Sequence, residues 1–387
     1  MNLELTAPQK ELQAECRHFA SHRVAPHADD FDRREFMPAD VIREVAANGY
    51  LAAFLKPEWS GRGLDFITYG LLTEELGRAC SSLRSLLTVH DMVALSILKW
   101  GTNDQREAWL RRLALGQTIG AVAITEAGAG SDAASVQLEA KRVNGSYVLN
   151  GKKKWITFGQ IADLFLVLAQ CESRPAAFLV ERERAGFQSN AISGLLGVRA
   201  SMVADLTFAN CEIPAENLIG REGFGLASVI STALGLARYS VAWGSVGIAQ
   251  SCLEACLDYT SERKQFGVYL KEHQLIKQML TGMIVNVNAA RLLCVQAGTA
   301  KVAADPTEVQ HTFIAKYFAS RTAMKAATDA VQIHGANGCG CEYPVQRYLR
   351  DAKIMEIIEG SNQIQQITIA DCAFQERAWA AAARALG

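Results

Sequence analysis

Val143-Asn-Gly-Ser-Tyr-Val-Leu-Asn-Gly-Lys-Lys-Lys-Trp-Ile-Thr157 is where the chain changes character. Asn-Gly at 144–145 and again at 150–151 separates short runs of β-branched and aromatic residues, the strongest local sign of a hairpin. Working outward, 147–149, 154–157, 164–170, 176–181 and 204–209 read as strands. A small antiparallel β-domain of about a hundred residues is therefore predicted over 120–225. On its N-terminal side the pattern is helical. Leu12, Cys16, Phe19 and Ala20 keep helical spacing behind Thr6-Ala-Pro8, a second pattern over 39–45 stops at Gly49, and 57–63 is rich in turn formers. Further helices are predicted at 71–78, 83–100 and 105–115.

On its C-terminal side long helices return, at 227–236 leading into 238–263, from 273 to about 303, then 307–333, 344–355 and 363–386. Within 238–263, Cys252, Cys256, Tyr259 and Arg263 fall on one face. The order is helical, β, helical, with none of the βα alternation of a doubly wound parallel sheet. The predicted fold class is α+β, mainly α, with domains 1–119, 120–225 and 226–387.

The chain has 387 residues, 50% hydrophobic and 20% charged, with a net charge of −1. That balance leaves no electrostatic footprint for nucleic acid. No uninterrupted apolar run approaches the roughly 20 residues of a membrane span, so a membrane is not an expected partner. The N-terminal Met-Asn-Leu-Glu-Leu-Thr-Ala-Pro lacks a basic n-region. Ten cysteines lie without a CxxC pair and read as buried reduced thiols of a cytoplasmic protein. Seven histidines are dispersed; His18 and His22, one turn apart, read as a solvated helix face, and no metal site is expected.

No G-x-G-x-x-G between strand and helix, no GK[ST] and no G-x-S-x-G is present, which removes Rossmann, P-loop and nucleophile-elbow sites. Other stretches suit a flat ring with polar edges. Thr125-Glu-Ala-Gly-Ala-Gly-Ser-Asp132 offers hydroxyls and backbone N–H groups. Lys154-Trp-Ile-Thr157 places an indole and a hydroxyl two residues apart, on one face of a regular strand. Arg263-Lys-Gln-Phe-Gly267 adds a cation and an aromatic ring suited to a phosphate-bearing cofactor. Glu359 follows two isoleucines and precedes Gly360-Ser361-Asn362, where Ser361 or Asn362 caps the next helix. Taken alone it reads as a capping glutamate before it reads as a general base, although an apolar surrounding there would raise a carboxyl pKa as a base requires.

Together these blocks resemble the acyl-CoA dehydrogenase family of flavoproteins, along with Asn150-Gly-Lys-Lys-Lys-Trp-Ile-Thr157, Gln332-Ile-His-Gly335, Glu342-Tyr-Pro-Val345, Arg350-Asp-Ala-Lys353 and Glu359-Gly-Ser-Asn-Gln-Ile-Gln365. The resemblance covers essentially the whole chain. It implies a helical N-domain, a β-barrel-like middle domain, a C-terminal four-helix bundle and non-covalent FAD. It further implies that Glu359 removes the α-proton of an acyl thioester while a hydride leaves the β-carbon for flavin N5, giving a trans-2-enoyl thioester. By position, Ile124, Thr125, Trp155 and Thr157 match flavin-ring contacts, and Ser131 matches a position shared by flavin and the thioester arm. Arg263, Phe266, His273, Gln274, Gln332 and Gly335 match positions that approach the FAD of a neighbouring subunit, and Ser361 and Gln363 match contacts to the flavin nucleotide. Arg238, Glu359 and Gly360 join Ser131 on the substrate side. The implied partners are a second copy of the chain, as dimer or tetramer, and an electron-transfer flavoprotein.

Some branches of the family carry the base near residue 237, which here is Ala237. Ala127 replaces a common proline, and Gly235 stands where members using CoA often carry an acidic residue. The second departure keeps an acyl group tethered to an acyl carrier protein beside acyl-CoA as a substrate. Separately, an oxidase relative that passes electrons to oxygen stands beside a dehydrogenase coupled to an electron-transfer flavoprotein. A non-catalytic helical scaffold is the reading of another class; it predicts a colourless protein.

Overall fold

The computed structural model describes residues 4–386, with side chains as far as residue 378. In chain order the helices are α1 (Ala7–Phe19), α2 (Ala28–Arg34), α3 (Ala39–Ala47), α4 (Phe66–Ala79), α5 (Ser81–Trp100) and α6 (Asn103–Ala114). Strands follow as β1 (Gly120–Ala123), β2 (Glu139–Val143), β3 (Ser146–Ile156), β4 (Leu164–Cys171), β5 (Arg174–Glu181), β6 (Phe187–Ala191), β7 (Ala204–Pro214) and β8 (Leu218–Ile219). Then come α7 (Ser231–Glu262), a small hairpin of β9 (Lys264–Gln265) and β10 (Val268–Tyr269), α8 (Gln274–Val302), α9 (Glu308–His334), α10 (Val345–Met355) and α11 (Asn362–Leu386). The helical, β, helical order read from the sequence is the observed one.

The chain gathers into two compact units that do not follow chain order. One holds Arg17–Asp65 and Cys80–Ala237; the other holds the described part of Met1–Cys16 with Phe66–Ala79 and Arg238–Gly387.

In the first unit the sheet runs β6-β7-β3-β2-β4-β5-β8, with β1 added beside β4. Pairing is antiparallel except that β1 and β2 meet β4 in parallel. Asn144 and Gly145, at φ 49° and 86°, make the predicted tight turn between β2 and β3. The second Asn-Gly is not a turn: Asn150 and Gly151 lie inside β3, at a register shift against β7. Asn150 Oδ1 accepts the Asn210 N–H at 2.8 Å, so the side chain satisfies a donor that the bulge takes out of the ladder. The two predicted strands 147–149 and 154–157 are therefore one. β2 and β6 escape the sequence reading because Glu-Ala-Lys-Arg-Val and Phe-Gln-Ser-Asn-Ala carry too little apolar alternation, and most of their positions are exposed.

β4 is buried on both faces, as its unbroken Leu-Phe-Leu-Val-Leu-Ala run requires. α5 is likewise buried from Ser81 to Ile97. His90 on α5 reaches the Leu113 carbonyl (3.1 Å) and accepts the Gly120 N–H (3.2 Å), fixing the end of α6 and the start of β1. Complete burial pushes its pKa down to about 4, so the ring is neutral and takes both roles.

In the second unit α4 leaves its sequence neighbours and packs into the C-terminal bundle. The reason lies in small residues and in charge. A Cβ on Gly70 would sit 2.2 Å from the Trp243 indole nitrogen, and one on Gly247 would sit 2.4 Å from the Glu74 carbonyl. Arg291 of α8 donates to Glu74 at 2.6 Å, and Arg78 donates to Glu254 of α7 at 2.5 Å. Glu74 is only 2% exposed. α7 and α8 have the length and mean hydropathy, 1.2, of membrane spans; the α7 window is 56% buried within the fold and the α8 window 33%. Uninterrupted runs, the criterion applied to the sequence, miss both because isolated polar residues break them.

All ten cysteines are free thiols. Cys339 and Cys341 are exposed and Cys372 half-buried, a departure from the expectation of wholly buried thiols. His18 and His22 are exposed, their rings 4.2 Å apart. Among the described residues no group of three metal-ligating side chains occurs.

Candidate active site

Glu359 lies in the turn between α10 and α11. It adopts φ 56° and Gly360 φ 88°, two successive left-handed residues. A non-glycine residue held there is strained and is retained where surrounding contacts over-determine it. Those contacts are visible. Arg238 Nε donates to the Glu359 carbonyl (3.1 Å), and Gln365 Nε2 donates to the carbonyls of Glu359 (3.3 Å) and Gly360 (2.9 Å). Lys316 of α9 donates to the Gly360 carbonyl at 2.8 Å. Gly360 at φ 88° is a position that favours glycine, and a Cβ there would come within 2.9 Å of Gln365 Nε2, disturbing the donor that holds the turn. Ser361 caps α11 with a long 3.5 Å bond from the Ile364 N–H. Asn362 is the first helical residue, and its side chain turns to Lys316 and Ser320 instead.

Two cations flank this turn, Lys316 buried and Arg238 half-buried. Arg238 stacks 4.5 Å over the Phe313 ring; burial lowers its pKa, and the negative charge of Glu359 opposes the fall. Lys316 is fully buried, and desolvation pushes it down to about 8, again against Glu359. Ile357, expected to shield the carboxylate, is 53% exposed in the single chain. Gln363 is exposed one residue into α11.

In the other unit, Ile124, Thr125, Trp155 and Thr157 come together. The Lys154 N–H donates to the Thr125 carbonyl (2.8 Å), and Lys153 Nζ donates to the Ile124 carbonyl (2.9 Å) and to Glu126 (2.7 Å). Glu126 in turn accepts the N–H groups of Gln137 (2.7 Å) and Leu138 (2.9 Å), so the loop after β1 is clamped to β3. Burial works against the Glu126 carboxylate, but Lys153 and the two amides hold it below the usual range. Lys153 is itself pushed down to about 8 by burial. Trp155 and Thr157 do not alternate along a regular strand. A bulge spans Lys153 to Ile156, Trp155 sits at φ 62° and is 51% exposed, and Thr157 falls in the turn beyond β3. Ser131 is exposed on the loop.

The remaining predicted residues lie in the bundle unit. Phe266 (φ 51°) and Gly267 (φ 80°) form the turn of the β9–β10 hairpin, and Phe266, 95% exposed, meets the His273 ring edge-on at 6.1 Å. His273 N-caps α8, with Gln274 the first helical residue. Arg263 follows the last turn of α7, whose Tyr259 stacks on His334 at 4.2 Å and donates to its carbonyl. Gln332 and Gly335 flank that histidine, so Arg263, Gln332 and Gly335 share one end of the unit.

Lys153, Glu126 and Lys316 were not picked out from sequence. Lys153 hides in a run of three lysines, and the signal available was its place two residues before Trp155 in a strand whose Leu149 and Ile156 point inward. Lys316 sits mid-helix among Phe313, Ala315 and Ala319, a lone cation on an apolar face.

The residue set fits a flavin: a half-exposed indole beside two half-buried hydroxyls and a loop whose Gly128 and Gly130 leave open space. The acyl-CoA dehydrogenase N-terminal, middle and C-terminal domain families match residues 6–117, 121–211 and 223–374. The chain belongs to the acyl-CoA dehydrogenase family, and it is a flavin oxidoreductase of that type, acting on a CH–CH bond. It is 36% identical over 375 residues to the mitochondrial short-chain specific acyl-CoA dehydrogenase of Mus musculus, covering 95% of this chain and 90% of that one. Among solved structures it resembles butyryl-CoA dehydrogenase from Megasphaera elsdenii (TM-score 0.93, 32% identity, 97% and 100% of the two chains). A glutaryl-CoA dehydrogenase from Mycobacterium smegmatis in complex with FADH2 superposes with TM-score 0.91 (29% identity, 95% of each chain). So does the prolyl acyl carrier protein oxidase AnaB, also at 0.91 (26% identity, 96% and 100%).

Proposed function

We propose that the protein carries out FAD-dependent α,β-dehydrogenation of an acyl thioester, with Glu359 as the base. The observation that carries this reading is the turn itself. A carboxylate is held in a left-handed conformation by four hydrogen bonds to its own and the next carbonyl, made by three side chains of which two are cations. Such outlay of strain and buried charge suits a group whose position matters to within tenths of an ångström. FAD, when bound, supplies the hydride acceptor. Thr125 and Thr157 would hydrogen-bond its ring, Ile124 would meet it through backbone, and Trp155 would wall one side. Glu359 would take the α-proton, and its backbone N–H would hold the thioester carbonyl as negative charge develops. Arg238 and Gly360 keep that N–H and carboxylate in register, while Ser131 faces the thioester arm.

The readings of Arg263, Phe266, His273, Gln274, Gln332 and Gly335 as contacts to a neighbouring subunit's FAD are part of the proposal. So are Ser361 and Gln363 at the nucleotide. The exposure of Phe266 and of Leu275, Ile284, Val285 and Leu292 along α8 supports a homo-oligomer. An electron-transfer flavoprotein is the proposed acceptor. Acyl-CoA is the first substrate class; a carrier-protein tether is the second, favoured by Gly235 and by the likeness to a carrier-protein oxidase.

Anaerobic mixing of purified enzyme with a panel of acyl-CoAs beside an acyl carrier protein thioester tests both. The flavin should bleach with one class. Glu359→Gln should keep the yellow spectrum and lose α-proton exchange by about 10²–10⁴-fold. Exchange at the normal rate in that variant refutes the assignment.

A further inference from the structure

We infer that Lys316 is a positioning residue for Glu359, holding the catalytic turn through the Gly360 carbonyl and keeping the base ionised by its charge. The inference rests on Glu359 being the base. Its ground is geometry. Lys316 is fully buried on α9, and Nζ donates to Gly360 O at 2.8 Å and to Asn362 Oδ1 at 3.2 Å. Asn362 Oδ1 also accepts from Ser320 Oγ at 2.9 Å, one turn along the same helix. A single side chain thus ties the residue after Glu359 to the first residue of α11, across the two left-handed positions.

A glutamine could satisfy a carbonyl and an amide oxygen without burying charge. Keeping an ammonium where desolvation penalises it calls for a compensating charge. That charge is Glu359, which is the largest influence favouring the protonated lysine; Glu356 adds to it and Arg238 opposes it. The coupling is mutual, so the lysine's charge favours the ionised carboxylate by the same amount. The other charged groups facing this cluster are Arg238 from α7, Lys301 from α8 with Glu308 at 3.9 Å, and Glu356 with Lys353 at 2.8 Å. Of the cations Arg238, Lys301 and Lys316, Lys316 alone is fully buried and donates to the residue after the base.

The test compares Lys316→Met, Lys316→Gln and Lys316→Arg with the wild type and Glu359→Gln. Flavin absorbance reads folding, and α-proton exchange and flavin reduction are followed against pH. Losing the cation should move the acid limb of kcat/KM upward by about one pH unit. Below both limbs the rate would fall about tenfold, with KM within about twofold of wild type. Glutamine keeps a donor toward Gly360, so it isolates the charge and carries the test if the methionine variant fails to fold. Arginine should restore the limb. The carboxyl infrared band lost in Glu359→Gln should titrate at higher pH in Lys316→Gln, a readout independent of turnover. A flavin-bound Lys316→Gln with the wild-type limb and band overturns the role of the lysine while leaving the base in place. Undiminished exchange in Glu359→Gln overturns the base itself, and this inference with it.

Discussion

Lys153→Met examines whether the loop after β1 is held by its buried ion pair. Lys153 has no exposed side-chain surface and Glu126 only 9%, so solvent screening gives little relief. The substitution keeps the volume of the aliphatic stem and removes two donations, to Glu126 and to the Ile124 carbonyl, together with the charge that offsets a buried carboxylate. Breaking a buried pair from one side costs roughly 3–5 kcal/mol. The Gln137 and Leu138 amides still serve Glu126, so the lower end, about 3 kcal/mol, applies. For a unit of roughly 200 residues that is a fall in Tm of about 6–12 °C. Scanning calorimetry and flavin absorbance of the same samples would read the loss of stability and of cofactor together. The pH dependence has a defined sign. Glu126 titrates below its unfolded value, so its contribution is present above the unfolded carboxylate pKa and is lost as pH falls through the depressed one. The variant should therefore show a shallower acid-side loss. A Tm within about 2 °C of wild type with full flavin retention, under 1 kcal/mol by the same scale, would refute the clamp.

His90, neutral and buried, contributes stability that is complete above pH 6.5 and lost as pH falls toward about 4. That window is worth about 3 kcal/mol, and His90→Gln should flatten thermal stability across it. A parallel loss in the variant counts against the role given to the ring. Arg291→Met would leave the Glu74 carboxylate, 2% exposed, without its guanidinium. It should destabilise the bundle by about 3 kcal/mol, read as protection lost in α4 and α8 by hydrogen exchange; protection lost in α8 alone would show that α4 is held by packing instead.

Much of the architecture is local and so was legible. Long runs of helical apolar spacing give the helices, Asn144-Gly145 gives one hairpin, and the unbroken apolar run of β4 gives a central strand. The second Asn-Gly misled because a bulge uses the same residues as a turn, and only its partner strand decides between them. The regular spacing of Trp155 and Thr157 failed for the same reason, at the next bulge along.

Glu359, Gly360 and Ser361 lie next to each other in the chain, so the sequence by itself placed a carboxylate at a flexible helix entrance and, through the spaced blocks, gave it a family. Tertiary structure decided what holds it. Arg238 is 121 residues from the turn and Lys316 is 44 from Gly360, and no periodicity couples such distances. The capture of α4 by the C-terminal bundle has the same origin. It depends on where a glycine meets an indole and a glutamate meets an arginine 217 residues away, contacts that exist only once the helices have packed.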